Sequence, residues 1–267
     1  MADTLIRHAE AVWMLVEPGL PGFTVEVLPS IDSTNSELMR RARSGLMEPV
    51  LLAAEDQTAG RGRLGKGWHS KPGQSLTFSL AMPLAPQSWS GLSLVVGVSL
   101  AHSLHPELRL KWPNDLWLHQ RKIGGILVET ASTGEAGQGR RLVVIGVGLN
   151  VARPEVSAVA ARVPDGAAVT AMAPAGLSEV LVGITPGEVL ERVAPALVRD
   201  IQAFASQGFA AFAQRFARLD ALQGQAVQLS DGTRGTACGV THDGALQVLT
   251  DAGMHTVTSA EVSVRPC

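Results

Sequence analysis

The sequence predicts an α+β fold in which a mixed β-sheet with flanking helices is followed by a small all-β barrel at the carboxy-terminal end. Three observations predict it. Helix-period and strand-like segments alternate through residue 216, the pattern changes from Gly224 onward to short alternating strands with hairpin signals, and 46% hydrophobic with 17% charged residues is ordinary globular composition. At 267 residues the chain can bury a substantial core, read as two unequal domains at 1–220 and 221–267.

Leu5, Ala9, Val12, Trp13 and Val16 recur at helical spacing, so residues 4–16 form an amphipathic helix behind Asp3 as cap. Phe23 to Leu28 alternates like a strand. The stretch Ser30 to Glu37 then starts a helix, with Thr34 and Glu37 in capping-box register, and Gly45 closes it. Val50 to Ala54 is a buried strand that delivers Gln57, and Ser75 to Met82 is another. Residues 91–104 place Leu92, Val95, Val96, Ser99 and Leu100 on one helical side. Strand-like pieces flank Pro113, and His119 to Lys122 is a polar hairpin tip before a strand from Ile123 to Thr130. Arg141 to Leu149 is a strand with Asn150 at its end. Residues 151–187 read as a long irregular excursion of the kind that covers a site, and 188–216 as helical with Pro195 and Gly208 as kinks or breaks. Asp231-Gly232 and Asp243-Gly244 mark hairpins in the final, barrel-like part of about 45 residues.

The bulk chemistry excludes several classes. Formal charge is −2 and pI is near 6.4, so no global basic field draws nucleic acid or an anionic membrane surface. Cys238 and Cys267 lack metal-ligand or C-x-x-C spacing, and neither a signal sequence nor an apolar run of membrane-spanning length is present. These features lead us to expect a soluble, cytoplasmic protein of a reducing compartment.

The most informative stretch is Gly60-Arg61-Gly62-Arg63-Leu64-Gly65-Lys66-Gly67-Trp68, with three cations and four glycines in nine residues. Backbone N–H groups and fixed positive charge can close there on one anionic ligand. A dinucleotide fingerprint or a P-loop would need a helix directly afterwards, which Gly67, Pro72 and Gly73 forbid. A solvated surface loop is the plainer alternative. Lys111-Trp112-Pro113-Asn114-Asp115 adds polar groups at a strand end, where Pro113 forces a turn; a simple β-turn would look the same. In Lys122-Ile123-Gly124-Gly125-Ile126-Leu127-Val128-Glu129, paired glycines permit a ligand to approach the backbone or mark a β-bulge. His102 and His105 stand at i, i+3 without a third ligand nearby and read as helix surface.

Together these stretches, with Gly146-Val147-Gly148-Leu149-Asn150 and the closing Glu261 to Arg265, resemble the biotin protein ligases over most of the chain. The resemblance implies the catalytic domain shared by these ligases and class II aminoacyl-tRNA synthetases, with an SH3-like barrel as the small domain. It implies that biotin is activated by ATP, with Mg²⁺, to biotinyl-5′-AMP and passed to a lysine of a biotin carboxyl carrier domain of a carboxylase. Ser33, Thr34, Asn35, Gln57, Arg61, Gly62, Arg63, Trp68, Lys122, Gly125 and Leu127 would then hold biotin. Gly60, Arg63, Lys66, Lys111, Asn114, Lys122, Asn150 and Arg265 would hold the nucleotide. Arg63, Lys111, Lys122 and Asp115 would carry the chemistry, Asp115 orienting the incoming lysine; the metal ligands are not legible. Lys66 departs from the family's usual arginine and lacks its bidentate fork. The core begins within about 25 residues of Met1, so the resemblance is to members without an amino-terminal DNA-binding domain, and ligation without operator binding is expected. A homodimer is compatible with the sequence. The alternatives are a lipoate or octanoate ligase or transferase of the same fold, and a noncatalytic biotin-responsive regulator.

Overall fold

A computed structural model describes residues 2–132, 140–155, 173–258 and 264–266. The body is built on a seven-stranded sheet. In chain order its strands are β1 (Thr24–Ile31), β2 (Val50–Gln57), β5 (Ser75–Leu84), β6 (Arg109–Lys111), β7 (Asp115–Leu118), β8 (Arg121–Ser132) and β9 (Arg141–Asn150). A separate two-residue ribbon, β3 (Gly60–Arg61) with β4 (Gly67–Trp68), stands between β2 and β5 in the chain. The spatial order is β1-β2-β5-β9-β8-β7-β6. Only β1 and β2 are parallel, and the helix α2 (Thr34–Arg43) makes the crossover that such a pair requires. The sheet is therefore mixed, as expected.

The two faces of this sheet differ. One is covered by α1 (Ala2–Val16), α3 (Leu92–Leu104) and α4 (Pro186–Gln207), which pack with Leu76, Phe78, Leu80, Val143, Ile145 and Val147. The other carries, among the described residues, the ten-residue α2, whose Leu38 and Ala42 lie on Leu52, Leu142 and Val144. Strand side chains alternate between faces, so Ser75, Thr77 and Ser79 of β5 and Gly146, Gly148 and Asn150 of β9 all fall on the α2 side. The register sets Ser79 beside Gly146 and Thr77 beside Gly148, with Leu127 and Gly125 of β8 completing the two rows. Large apolar residues give way to small or polar ones beside the start of α2. A cavity is left there.

After α4, the helix α5 (Ala213–Ala217) leads to a second sheet, wholly antiparallel, of β10 (Ala226–Leu229), β11 (Arg234–Val240), β12 (Leu246–Thr250), β13 (Gly253–Val257) and β14 (Val264–Pro266) in the order β13-β12-β11-β10-β14. Asp231-Gly232 and Asp243-Gly244 turn its first two hairpins, with both glycines at positive φ (90° and 86°) where an L-residue would be strained. This sheet is latched to the body. The buried Trp112 indole donates to the Gly244 carbonyl at 3.0 Å and the Ser90 hydroxyl to the Asp243 carbonyl at 2.6 Å.

Several local expectations are corrected. Asp3 lies inside α1 and does not cap it. The cap of α2 is Ser33, whose hydroxyl accepts from the Ser36 N–H at 3.4 Å, because Thr34 is turned inward to Gln57 and Ser79. α3 is buried on nearly every side, between the sheet and α4, so its apolar surface is wider than one stripe. α4 starts at Pro186 under a Thr185–Glu188 capping box and runs through Pro195, packing against α1 and α3 offsetting the lost backbone bond; Gly208 is where it ends. Of the excursion at 151–187, residues 156–172 lie outside the described residues, as do Glu261 to Ser263 and Cys267.

Candidate active site

The cavity on the α2 side of the sheet encloses about 200 Å³. Its floor exists because glycines leave room. A Cβ on Gly146 would sit 2.3 Å from Asn35 Oδ1, and one on Gly148 would sit 2.4 Å from Trp68 Cε2. Trp68 and Leu127 line the cavity as apolar walls. The indole N–H of Trp68 is buried and has no hydrogen-bond partner among the described residues.

At one end of the cavity runs a chain of uncharged polar groups. Gln57 Oε1 accepts from the Thr34 N–H at 2.8 Å and from its hydroxyl at 3.1 Å. Thr34 Oγ1 lies 2.7 Å from Ser79 Oγ, and Ser79 donates to Asn35 Oδ1 at 2.7 Å. Asn35 Nδ2 donates to Glu129 Oε2 at 2.8 Å, and Glu129 Oε1 receives Arg61 Nη2 at 2.9 Å. Ser33, Thr34, Asn35 and Ser79 are all buried. A polar group in that state must have its partners, and these supply one another.

At the other end, cations converge. Lys122 Nζ lies 2.6 Å from Asp115 Oδ1 and Lys111 Nζ lies 3.8 Å from Asp115 Oδ2, so one carboxylate spans two ammonium groups. Gly125 makes space for Lys122, since a Cβ there would meet its Nζ at 3.3 Å. Arg63 Nη1 donates to Asn114 Oδ1 at 3.1 Å, and Asn114 Nδ2 to the Ile126 carbonyl at 2.9 Å. Burial lowers the Arg63 pKa, opposed by the nearby charge of Asp115, yet a guanidinium remains protonated in either case. Among the described residues Arg63, Lys111 and Lys122 gather around the carboxylate of Asp115. Such an end suits an anionic ligand.

Residues 27–150 match the model of the biotin/lipoate A/B protein ligase family, and residues 224–265 match that of the biotin protein ligase C terminal domain. The bifunctional ligase/repressor BirA of Escherichia coli is 36% identical over 256 residues, spanning 92% of this chain and 75% of that protein. The chain belongs to the biotin protein ligase family. The biotin--[acetyl-CoA-carboxylase] ligase of Paracoccus denitrificans is 31% identical over 88% of this chain and 98% of its own. Among solved structures, a biotin protein ligase from Aquifex aeolicus in complex with biotin and ATP superposes with a TM-score of 0.72 at 26% identity, covering 91% of this chain and 99% of that one.

Within this biotin ligase fold, the cavity brings together Ser33, Thr34, Asn35, Gln57, Arg61, Gly62, Arg63, Lys66, Trp68, Lys111, Asn114, Asp115, Lys122, Gly125 and Leu127. Gly60 stands just outside it, in an open groove beneath the glycine loop; a Cβ there would meet the Trp68 carbonyl at 2.4 Å, which keeps β3 against β4. Asn150 is not in the cavity lining. It closes β9 and donates its side-chain amide to the Ala175 carbonyl at 3.2 Å. Arg265 sits in β14 opposite Gln228, and its side chain is outside the described residues. Among the described residues no three His, Cys, Asp or Glu side chains cluster as metal ligands. Mg²⁺ commonly keeps its waters and binds through substrate phosphates in place of an all-protein cage.

Sequence reasoning missed Thr77, Ser79, Gly146, Gly148 and Glu129 as parts of the site. The signal for β5 was present: hydroxyls at 75, 77 and 79 alternate with large apolar residues. The glycine-pair strand contains the bulge weighed for it, with Gly124 placed against a neighbouring strand. The β7–β8 register slips beside Ile123, and the backbone at Gly124 closes on Gly148 O, 2.7 Å from where a Cβ would stand.

Proposed function

We propose that this protein is an ATP-dependent biotin protein ligase that charges a biotin carboxyl carrier domain. The observation that carries the reading is the polarity of one cavity, with an uncharged hydrogen-bonding end at Thr34 and Gln57 and a cationic end at Arg63, Lys111 and Lys122. Biotin has the matching form, a neutral ureido head joined by an apolar body to a carboxylate. Ser33, Thr34 and Gln57 would hydrogen-bond the head, with backbone at Arg61 and Gly125, while Trp68 and Leu127 enclose the body.

In the first step a biotin carboxylate oxygen attacks the α-phosphorus of ATP and pyrophosphate leaves, giving the mixed anhydride biotinyl-5′-AMP. Two anions must meet, and fixed cations in a partly dry site offset their repulsion and stabilise the spreading charge. Lys122 would hold the biotin carboxylate and the bridging phosphate, and Arg63, Lys111 and Lys66 the phosphates. In the second step a carrier lysine amine attacks the acyl carbon and AMP leaves; Asp115 would orient that amine. Mg²⁺ would arrive on the ATP phosphates. Asn150 would reach the adenine edge only by releasing Ala175, and Arg265 would reach the nucleotide from the small domain.

The division at 1–220 and 221–267, and an SH3-like barrel for the latter, are part of the same proposal; the five antiparallel strands with Gly-turned hairpins support it. A lipoate or octanoate ligase is disfavoured because an alkyl or dithiolane tail would leave the polar floor unpartnered. Purified protein with ATP, Mg²⁺, biotin and a carrier domain should make that domain avidin-reactive. Modification by lipoate in place of biotin would refute the reading.

A further inference from the structure

We infer that Glu129 is a positioning residue that sets the direction of the hydrogen bonds running from Asn35 through Ser79 to Thr34, and thereby the acceptor that Thr34 offers to the ligand head. The inference rests on the proposed biotin reading and deepens it. Glu129 lies on β8, half-buried, facing the α2 side of the sheet.

A carboxylate paired with the Arg61 guanidinium offers lone pairs only, so the Asn35 amide must turn its Nδ2 towards Glu129 and its Oδ1 towards Ser79. Ser79 then spends its single proton on Asn35 at 2.7 Å. Its 2.7 Å bond to Thr34 can only be an acceptance, so Thr34 gives its single proton to Ser79 and keeps its lone pairs for the cavity, while Gln57 Oε1 is held by the Thr34 N–H. Gln57, with Oε1 already receiving the Thr34 N–H, has its Nε2 to present. A carboxylate three residues removed from the ligand thus fixes an acceptor at Thr34, beside the N–H that Gln57 presents because its Oε1 takes the Thr34 backbone N–H. That is the pattern a cyclic urea needs, because it combines N–H donors with a carbonyl acceptor.

The same carboxylate ties this floor to the glycine loop. Arg61, at the start of that loop, reaches Glu129 with one nitrogen and the Ser36 hydroxyl with another at 3.2 Å. Gly146 leaves the space in which the Asn35 amide sits, so the relay and the floor glycines depend on each other.

Glu129→Gln tests the inference, since the new amide is nearly isosteric and can donate to Asn35, letting the whole chain reverse. We expect KM for biotin to rise about five- to tenfold, the size of one or two weakened buried hydrogen bonds, with kcat and KM for ATP within about twofold of wild type. Ser79→Ala cuts the relay without touching Glu129. In the double variant the two effects on biotin KM should not add, because a reversed Asn35 no longer communicates with Thr34. Additive effects, or an unchanged biotin KM in Glu129→Gln, would overturn the inference while leaving the ligase reading intact. Wild-type protein inert towards biotin, ATP and carrier domain would remove both.

Discussion

Gly148→Ala probes the cavity wall at its tightest point. An added Cβ would lie 2.4 Å from Trp68 Cε2 and 2.8 Å from both Cζ2 and Nε1. Carbon contacts are comfortable from about 3.5 Å, so the indole must retreat by about 1 Å. Gly148 does not have positive φ, so alanine adds no backbone strain and recovers about 0.4–1 kcal/mol through the unfolded chain. Overpacking costs about 1–3 kcal/mol where the surroundings are rigid. Trp68 belongs to the two-residue ribbon β3–β4 and can move with it, which places the net destabilisation near about 1 kcal/mol. The ligand bears the larger effect, because the displaced ring is the wall of its slot. Biotin affinity measured by calorimetry should fall by at least about tenfold, or about 1.4 kcal/mol, beside a small shift in thermal midpoint. Gly67→Ala is the control, since its Cβ would meet nothing within 4 Å and it should be silent. Equal biotin affinity in Gly148→Ala and wild type would refute this placement of Trp68.

Two further outcomes concern stability. Asp220 has its pKa raised by burial, against backbone hydrogen bonds from Leu222 and Gln223, and its Oδ2 is buried with no hydrogen-bond partner among the described residues. The native state therefore holds this proton more tightly than the unfolded chain, so stability falls as pH rises from the ordinary carboxyl range through the elevated native value. Urea midpoints of Asp220→Asn should match or exceed wild type at pH 7 and lose that relative advantage towards pH 4; a constant difference would contradict the desolvation account. Thr185→Ala removes the cap whose hydroxyl accepts from the Glu188 N–H, and should cost about 1 kcal/mol in thermal unfolding with ligase activity preserved.

The charged half of the site was legible because its chemistry lies in short segments. Arg63 follows Gly62, and Lys111, Asp115 and Lys122 each stand two positions from Pro113 or Gly124, whose backbone consequences can be read locally. In the neutral half, Ser33, Thr34, Asn35, Gln57 and Leu127 were named through the family resemblance, whereas Ser79 and Gly146 were not, because they become neighbours of Leu127 only through the register of β5, β9 and β8. Strand order and register are tertiary facts, and a hydroxyl in an apolar strand does not announce its partner. The cap of α2 was misassigned for a related reason. Both Ser33 and Thr34 satisfy the local pattern, and the choice is made by Gln57 and Ser79, 24 and 46 positions after Ser33 in the chain. Glu129 was read as the end of a motif, although its two oxygens join the loop to the floor.

The central claim is that cations fixed at one end of the cavity allow a carboxylate and a triphosphate to react. Biotin-dependent exchange of labelled pyrophosphate into ATP measures that step alone, without a carrier domain. Wild-type protein should exchange, and Lys122→Ala should lose at least about a hundredfold in exchange rate, or about 2.7 kcal/mol, while its thermal unfolding stays close to wild type. Near-normal exchange in a folded Lys122→Ala protein would contradict the claim.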